Sequence, residues 1–315
     1  MKRLFILSSA AALMLASCAK TTVVYNEAPE EISFKQVTNV MTKAALENTV
    51  ELGVIAYNAG GATTYFANTC FAHDGNYWSA DKYWPVSGNL DFILYAPYSG
   101  TSVSNTSYNS LVISVDNSDP EEEQIDWLYA DKRYDGTAKS TSAINVNLQH
   151  ALAKIIVNLK ADTDDVVTIK SFTINNTKQT ATLTITQNNT SNMINWTENG
   201  EGVNWNLSRL ATGNETLDKS TGKTDDCLVI PGDQTSFTMT YTLEGIVDGE
   251  ENPILLTHTH TFDDATWQSG RQYTYNVTVG VTEIKFNCTD SGWTEGNNPI
   301  PELEWIANPD NVVEP

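Results

Sequence analysis

The chain has 315 residues and a formal net charge of −21, with 39 acidic against 18 basic residues. Such an acidic balance excludes a general nucleic-acid or anionic-membrane binder, which needs basic patches. About 300 residues beyond any leader suggest two domains, and abundant Thr, Asn, Tyr and Val without helical periodicity suggest an all-β chain.

The chain opens "MKRLFILSSAAALMLASCAK". Lys2 and Arg3 form a basic start, Leu4 to Leu15 an apolar run, and Ala16-Ser17 a small-residue cleavage site, which together predict an export signal over 1–17. The apolar run is shorter than the roughly 20 residues a spanning helix needs. "LASC" matches the bacterial lipobox, so Cys18 is expected to become a lipidated N-terminus on a membrane, held by about 0.8 kcal/mol per buried CH₂ of its acyl chains. Removal of 1–17 takes away two lysine or arginine residues and no acid, leaving −23.

"ISFKQVTNVMTKAAL", from Ile32, predicts a strand that runs up to Lys43, with Ile32, Phe34 and Val37 as its apolar positions. Further along, "NYWSADKYWP" gathers Tyr77, Trp78, Tyr83 and Trp84 beside Asp and Lys. Such aromatics either fill a core or form a platform for a sugar ring. "DPEEEQID" lacks the regular oxygen spacing of a calcium loop and reads as a solvated acidic loop. "YDGTAKSTS", Tyr134 to Ser142, is nearly free of apolar residues and is the expected interdomain linker. The expected domains are 44–140 and 141–293, preceded by the lipidated segment 18–43.

In the second half, Ile144, Val146 and Leu148 alternate in one phase, and Ala151, Ala153, Ile155, Val157 and Leu159 in the other. "TSFTMTYTLEG" places Phe237, Met239, Tyr241 and Leu243 on one face. "RQYTYNVTVGV" does the same for Tyr273, Tyr275, Val277, Val279 and Val281. A phase slip to Ile284 and Phe286 predicts a bulge or corner near Thr282. His258 and His260 share a strand face, which suits solvent or, with further ligands, a metal. Residues 294–315 form a tail whose Ile300, Leu303, Trp305 and Ile306 are unusually apolar.

Cysteine is sparse: beyond Cys18 only Cys70, Cys227 and Cys288 remain, with no zinc-like spacing. No phosphate loop, nucleophile elbow or HExxH motif is present, so no metal, cofactor or catalytic role is expected and the chain is not read as an enzyme.

Several stretches, in order, resemble the fimbrillin family of the Bacteroidales, the type V pilins and their relatives. They are the lipobox, the "ISF" strand followed by "TKA", "IDWLYA" (Ile125 to Ala130), "LQHALAKIIVNL" (Leu148 to Leu159), and "WQSGRQYTYNVTV" (Trp267 to Val279) followed by "SGWTEG". The resemblance implies two tandem transthyretin-like β-sandwich domains and a lipoprotein bound to the outer membrane through Cys18. It also implies cleavage between Lys43 and Ala44, with loss of the strand carrying Ile32, Phe34 and Val37. The apolar slot would then be filled by the tail of another subunit, here Ile300 to Ile306, to build a fimbrium. Polymerising members commonly carry arginine at the cut, where this chain has Lys43. The implied partners are other fimbrillin subunits. The alternative is a surface lipoprotein or tip adhesin that binds host or bacterial glycans through Tyr77, Trp78, Tyr83 and Trp84.

Overall fold

The computed structural model describes residues 29–36, 50–61, 63–118, 124–210, 215–220, 222–233, 236–244, 246–248, 250–261, 266–280 and 283–293, and the backbone of 303–306. Among them the chain is all-β, with no helix.

The first sheet has nine strands. Its order runs Ile144–Val146, Glu31–Gln36, Trp78–Tyr83, Thr64–His73, Leu52–Asn58, Leu90–Ala96, Leu128–Ala130 and Leu148–His150, with Tyr134–Thr137 also paired to Leu90–Ala96. Its two end strands are consecutive in the chain, separated by Asn147 alone. The segment 144–150 therefore pairs at one end with the first strand and at the other with Leu128–Ala130. The sheet thus curls back on itself, and closure removes exposed edges. Its interior is filled by Ile32, Phe34, Phe71, Leu90, Phe92 and Trp84, among other buried residues.

The middle strands of this sheet are buried on both faces. Leu90–Ala96, "LDFILYA", is buried at every position, which is why it reads as a continuous apolar run rather than an alternation. Phe92 and Leu94 point into the closed sheet, while Ile93 and Tyr95 point out. The Tyr95 ring lies across Gly53, where a Cβ would sit 2.2 Å from the ring, so a glycine is required there. Asp91, also buried, accepts hydrogen bonds from Gly60 N (2.8 Å), Gly136 N (2.5 Å) and the Tyr108 hydroxyl (3.0 Å). A buried carboxylate is tolerated because such donors replace its water.

A four-stranded sheet covers that outward face. It joins the hairpin Val103–Ser107 and Ser110–Asp116 to the hairpin Thr180–Thr186 and Met193–Asn199. The central pairing is continuous from Thr180 opposite Asp116 to Thr186 opposite Ser110. Leu111, Ile113, Leu183 and Ile185 pack there against Ile93, Tyr95 and Trp127 in a core of their own.

The third core lies between two five-stranded sheets. One runs Lys223–Val229, Ala153–Ala161, Arg271–Val279, Ile284–Gly292 and Leu303–Ile306. The other contains Val203–Asn206, Val167–Thr177, Ser236–Leu243 and Leu256–Thr261, with Glu215–Leu217 also on Val167–Thr177. Val157, Phe172, Phe237, Tyr275 and Phe286 fill the space between them.

One expectation changes at this level, and the two phase slips are located. Tyr134–Thr137, expected as a linker, is a strand whose Gly136 amide serves Asp91. The phase slip near Thr282, expected as a bulge or corner, is the reversal of a hairpin, with Val279 opposite Ile284. The slip after Leu148 marks the passage from the first sheet to the strand beginning at Ala153.

The halves are also clasped by side chains. Gln124 accepts from Leu228 N (2.7 Å) and donates to Leu228 O (3.1 Å), and Asn117 donates to the same oxygen (2.5 Å). These amides satisfy the outer edge of Lys223–Val229. Gln124→Ala would strand a buried N–H, so urea unfolding should show a loss of about 1–3 kcal/mol, whereas an exposed Gln gives no measurable change.

Candidate functional site

The strand Glu31–Gln36 sits between two neighbours of different kinds. On one side it runs parallel to Ile144–Val146, with Phe34 opposite Ile144 and Gln36 opposite Val146. On the other it runs antiparallel to Trp78–Tyr83, with Ser33 opposite Ser79 and Phe34 opposite Trp78, after an irregularity between Glu31 and Ser33. Just before the strand, Trp84 N donates to Glu30 O (2.9 Å).

Alternation decides what the strand buries. Ile32 and Phe34 are fully buried, while Glu31 and Lys35 are exposed. The Phe34 ring meets Phe71 edge-on at 5.4 Å and Phe92 at 5.2 Å between ring centres, geometries favoured by the ring quadrupole. Burying Ile32 and Phe34 contributes about 1.5–3 kcal/mol each. Without the strand, its neighbours would expose unpaired N–H and C=O groups and an apolar trough, which is a site for another strand.

The aromatic quartet divides by parity. Trp78 and Trp84 are 4% and 6% exposed and face the interior, where Trp78 Nε1 donates to Val50 O (2.7 Å) and Trp84 meets Phe92 edge-on. Tyr77 and Tyr83 are 40% and 41% exposed on the outside. The structure therefore corrects the expected four-ring ligand platform: two of its members are core. The signal was available in the sequence, since 78 and 84 are even positions of one strand run and 77 and 83 odd.

Of the other predicted residues, Cys18, Val37, Lys43, Ala44 and Ile300 lie outside the described residues. Leu303, Trp305 and Ile306 fall in a strand whose backbone pairs antiparallel with its own chain, from Cys288 opposite Leu303 to Lys285 opposite Ile306. Sequence reasoning missed Ile144–Val146 as a wall of the site, although its alternation with Leu148 was visible.

His258 and His260 do not converge on a ligand. Both rings stack on Phe286, at 5.7 Å and 4.2 Å between centres, and cap the rim of the third core. Among the described residues no group of three or more His, Cys, Asp or Glu side chains could hold a metal. His150 is buried, stacks on Trp293 and has Nδ1 2.9 Å from Asp126 Oδ2. Cys70, Cys227 and Cys288 form no disulfide, and burial pushes the Cys70 and Cys288 thiols up to about 11.

A family described as fimbrillin-like matches residues 38–293. The chain belongs to the fimbrillin-like family. The matched span starts just after Glu31–Gln36 and ends at Trp293, before the tail. Solved structures share the fold. A candidate cell adhesion protein from Bacteroides uniformis is 20% identical, with a TM-score of 0.57, covering 84% of this chain and 98% of the other. A fimbrial protein from Bacteroides vulgatus is 16% identical with a TM-score of 0.57, covering 84% and 99%. A candidate cell adhesion protein from Bacteroides ovatus is 15% identical with a TM-score of 0.52, covering 90% and 100%. No curated protein matches the sequence.

Burial lowers the pKa of His258 below its ordinary 6.5. The native state then resists a proton that the unfolded chain accepts, so stability is full above pH 6.5 and is lost as pH falls below it. Thermal melts from pH 7.5 to 5 should show this decline, and it should shrink in His258→Leu.

Proposed function

We propose that this fimbrillin-like chain is a structural subunit of a cell-surface fimbrium, exported as a lipoprotein on Cys18 and assembled by strand exchange. In this reading the strand Glu31–Gln36 is a temporary occupant of the first sheet. Cleavage between Lys43 and Ala44 separates it, and the membrane anchor at Cys18 with it, from the rest of the chain. The vacated slot between Ile144–Val146 and Trp78–Tyr83 then receives an extended segment of another subunit.

The observation that carries the proposal is the full burial of Ile32 and Phe34 in a strand hydrogen-bonded on both sides, from a segment joined to the remainder through Lys43. The fold shared with a fimbrial protein and with candidate cell adhesion proteins supports a surface role. The donor is the tail segment Ile300 to Ile306, whose Leu303–Ile306 forms a strand. That strand occupies an outer position with a single neighbour, Ile284–Gly292, over four paired residues. Such a short edge pairing can be exchanged for a longer one in a partner. Loss of residues 18–43 removes three lysines and three glutamates, so the released subunit keeps its charge of −23. Outside the slot, subunits of that charge repel one another, which favours end-to-end joining over lateral aggregation.

The test is to treat the unlipidated chain, begun at Cys18, with trypsin under native conditions. A selective cut after Lys43 should be followed by oligomer ladders that survive SDS without heating. A synthetic peptide covering Glu30 to Val37, added in excess, should suppress the ladder by refilling the slot. A cut protein that stays monomeric, or ladders indifferent to the peptide, would contradict the proposal.

A further inference from the structure

A groove of about 740 Å³ lies over one end of the five-stranded sheet that contains Ala153–Ala161. Its lining includes Lys160, Lys223 and Lys285 and, among the described residues, one acid, Glu283, which pairs with Lys285 at 2.8 Å. The described lining residues therefore sum to +2 in a chain of −21. A positive concavity in an otherwise repellent surface concentrates anions there.

Register explains the arrangement. Lys160, Thr278 and Lys285 are directly opposite one another on three adjacent strands, which sets the two lysines roughly 10 Å apart at their Cα atoms. The next row carries Thr224, Asn158, Asn276 and Asn287. Thr224 donates to Asn158 Oδ1 (2.8 Å), and Asn158 donates to Asn276 Oδ1 (2.9 Å). Asn287 in this row, opposite Glu304 of the tail strand, has a buried Oδ1 with no hydrogen-bond partner among the described residues. The surface thus offers a row of hydroxyl and amide groups flanked by ammonium groups.

These features restrict the ligand. Among the described residues Phe286 is the one aromatic ring in the lining, and the two histidines already stack on it. Stacking of a nucleobase or of a neutral sugar is thereby disfavoured. With the tail strand in place, Ala153–Ala161, Arg271–Val279 and Ile284–Gly292 each have neighbours on both sides, so in the uncut chain their backbones cannot pair with an incoming peptide strand. Recognition must come from side chains alone, by charge and by hydrogen bonds to hydroxyl groups.

We infer that this groove binds an acidic polysaccharide, whose carboxylate or sulfate groups pair with Lys160 and Lys285 while its hydroxyls meet the Asn158, Asn276 and Asn287 row. The groove lies on a different sheet from the slot, but its outer strand Ile284–Gly292 is also the neighbour of the tail strand Leu303–Ile306, so binding is tested on the uncut chain, before any strand exchange.

The test uses the full chain without its leader and calorimetric titration with four probes: a heparin octasaccharide, an oligogalacturonate of similar length, dextran and poly-glutamate. Binding of either acidic saccharide, weakened by salt and absent for dextran, is expected; which one binds identifies sulfate or carboxylate as the recognised group. Lys160→Gln/Lys285→Gln should weaken it at least tenfold with an unchanged thermal melt, and Lys160→Arg/Lys285→Arg should retain it. The charge-matched control Lys132→Gln/Lys178→Gln should bind like the parent. Failure of both acidic saccharides, equal loss in the control, or equally tight binding of poly-glutamate would overturn the inference.

Discussion

The first sheet is held closed by one short strand with two partners. Glu31–Gln36 joins Trp78–Tyr83 to Ile144–Val146, and no other described strand links those two. Closure requires its backbone hydrogen bonds on both sides, and the interior requires Phe34 between Phe71 and Phe92. Local pairing and core filling are therefore the same event. Any process that withdraws this strand opens both a hydrogen-bonding ladder and an apolar trough.

The rest of the molecule is built so that such an opening stays local. The face of the first sheet away from the slot is covered by a sheet drawn from both halves of the chain, paired over seven consecutive residues between Thr180–Thr186 and Ser110–Asp116. Gln124 and Asn117 add a clasp on Leu228, and Trp293 closes over His150 at the same junction. Leu52–Asn58 and Leu90–Ala96 are thus supported from outside by a core that contains neither Ile32 nor Phe34. The slot is a feature of one wall, and the opposite wall has its own support.

Much of this was legible in the sequence, for physical reasons that differ by region. Ile32 and Phe34 alternate with the polar residues Glu31, Ser33 and Lys35, and period two places them on one face. The runs at Phe237 and Tyr273 follow the same rule, and the ordered motifs gave the family. The wall formed by Ile144–Val146 was not legible, because a three-residue parallel pairing leaves no turn or spacing signal between partners more than a hundred residues apart. Four aromatics within eight residues read as one cluster, and only parity separates the buried Trp78 and Trp84 from the exposed Tyr77 and Tyr83. The strand at Tyr134–Thr137 was hidden by Asp135 and Gly136, turn-forming residues that here help to satisfy buried Asp91. The lysine groove was hidden for another reason. Lys160 and Lys285 become neighbours only through a register that the sequence does not state.

The claim that Glu31–Gln36 is a removable occupant is tested most directly by locking it in place. Ser33 and Ser79 are directly opposed in antiparallel strands, a geometry that accepts a disulfide. A Ser33→Cys/Ser79→Cys chain, oxidised and then cut after Lys43, should remain monomeric by light scattering. Adding a reductant should then release the strand and start assembly. Assembly of the oxidised, cut protein at the same rate as its reduced form would contradict the account.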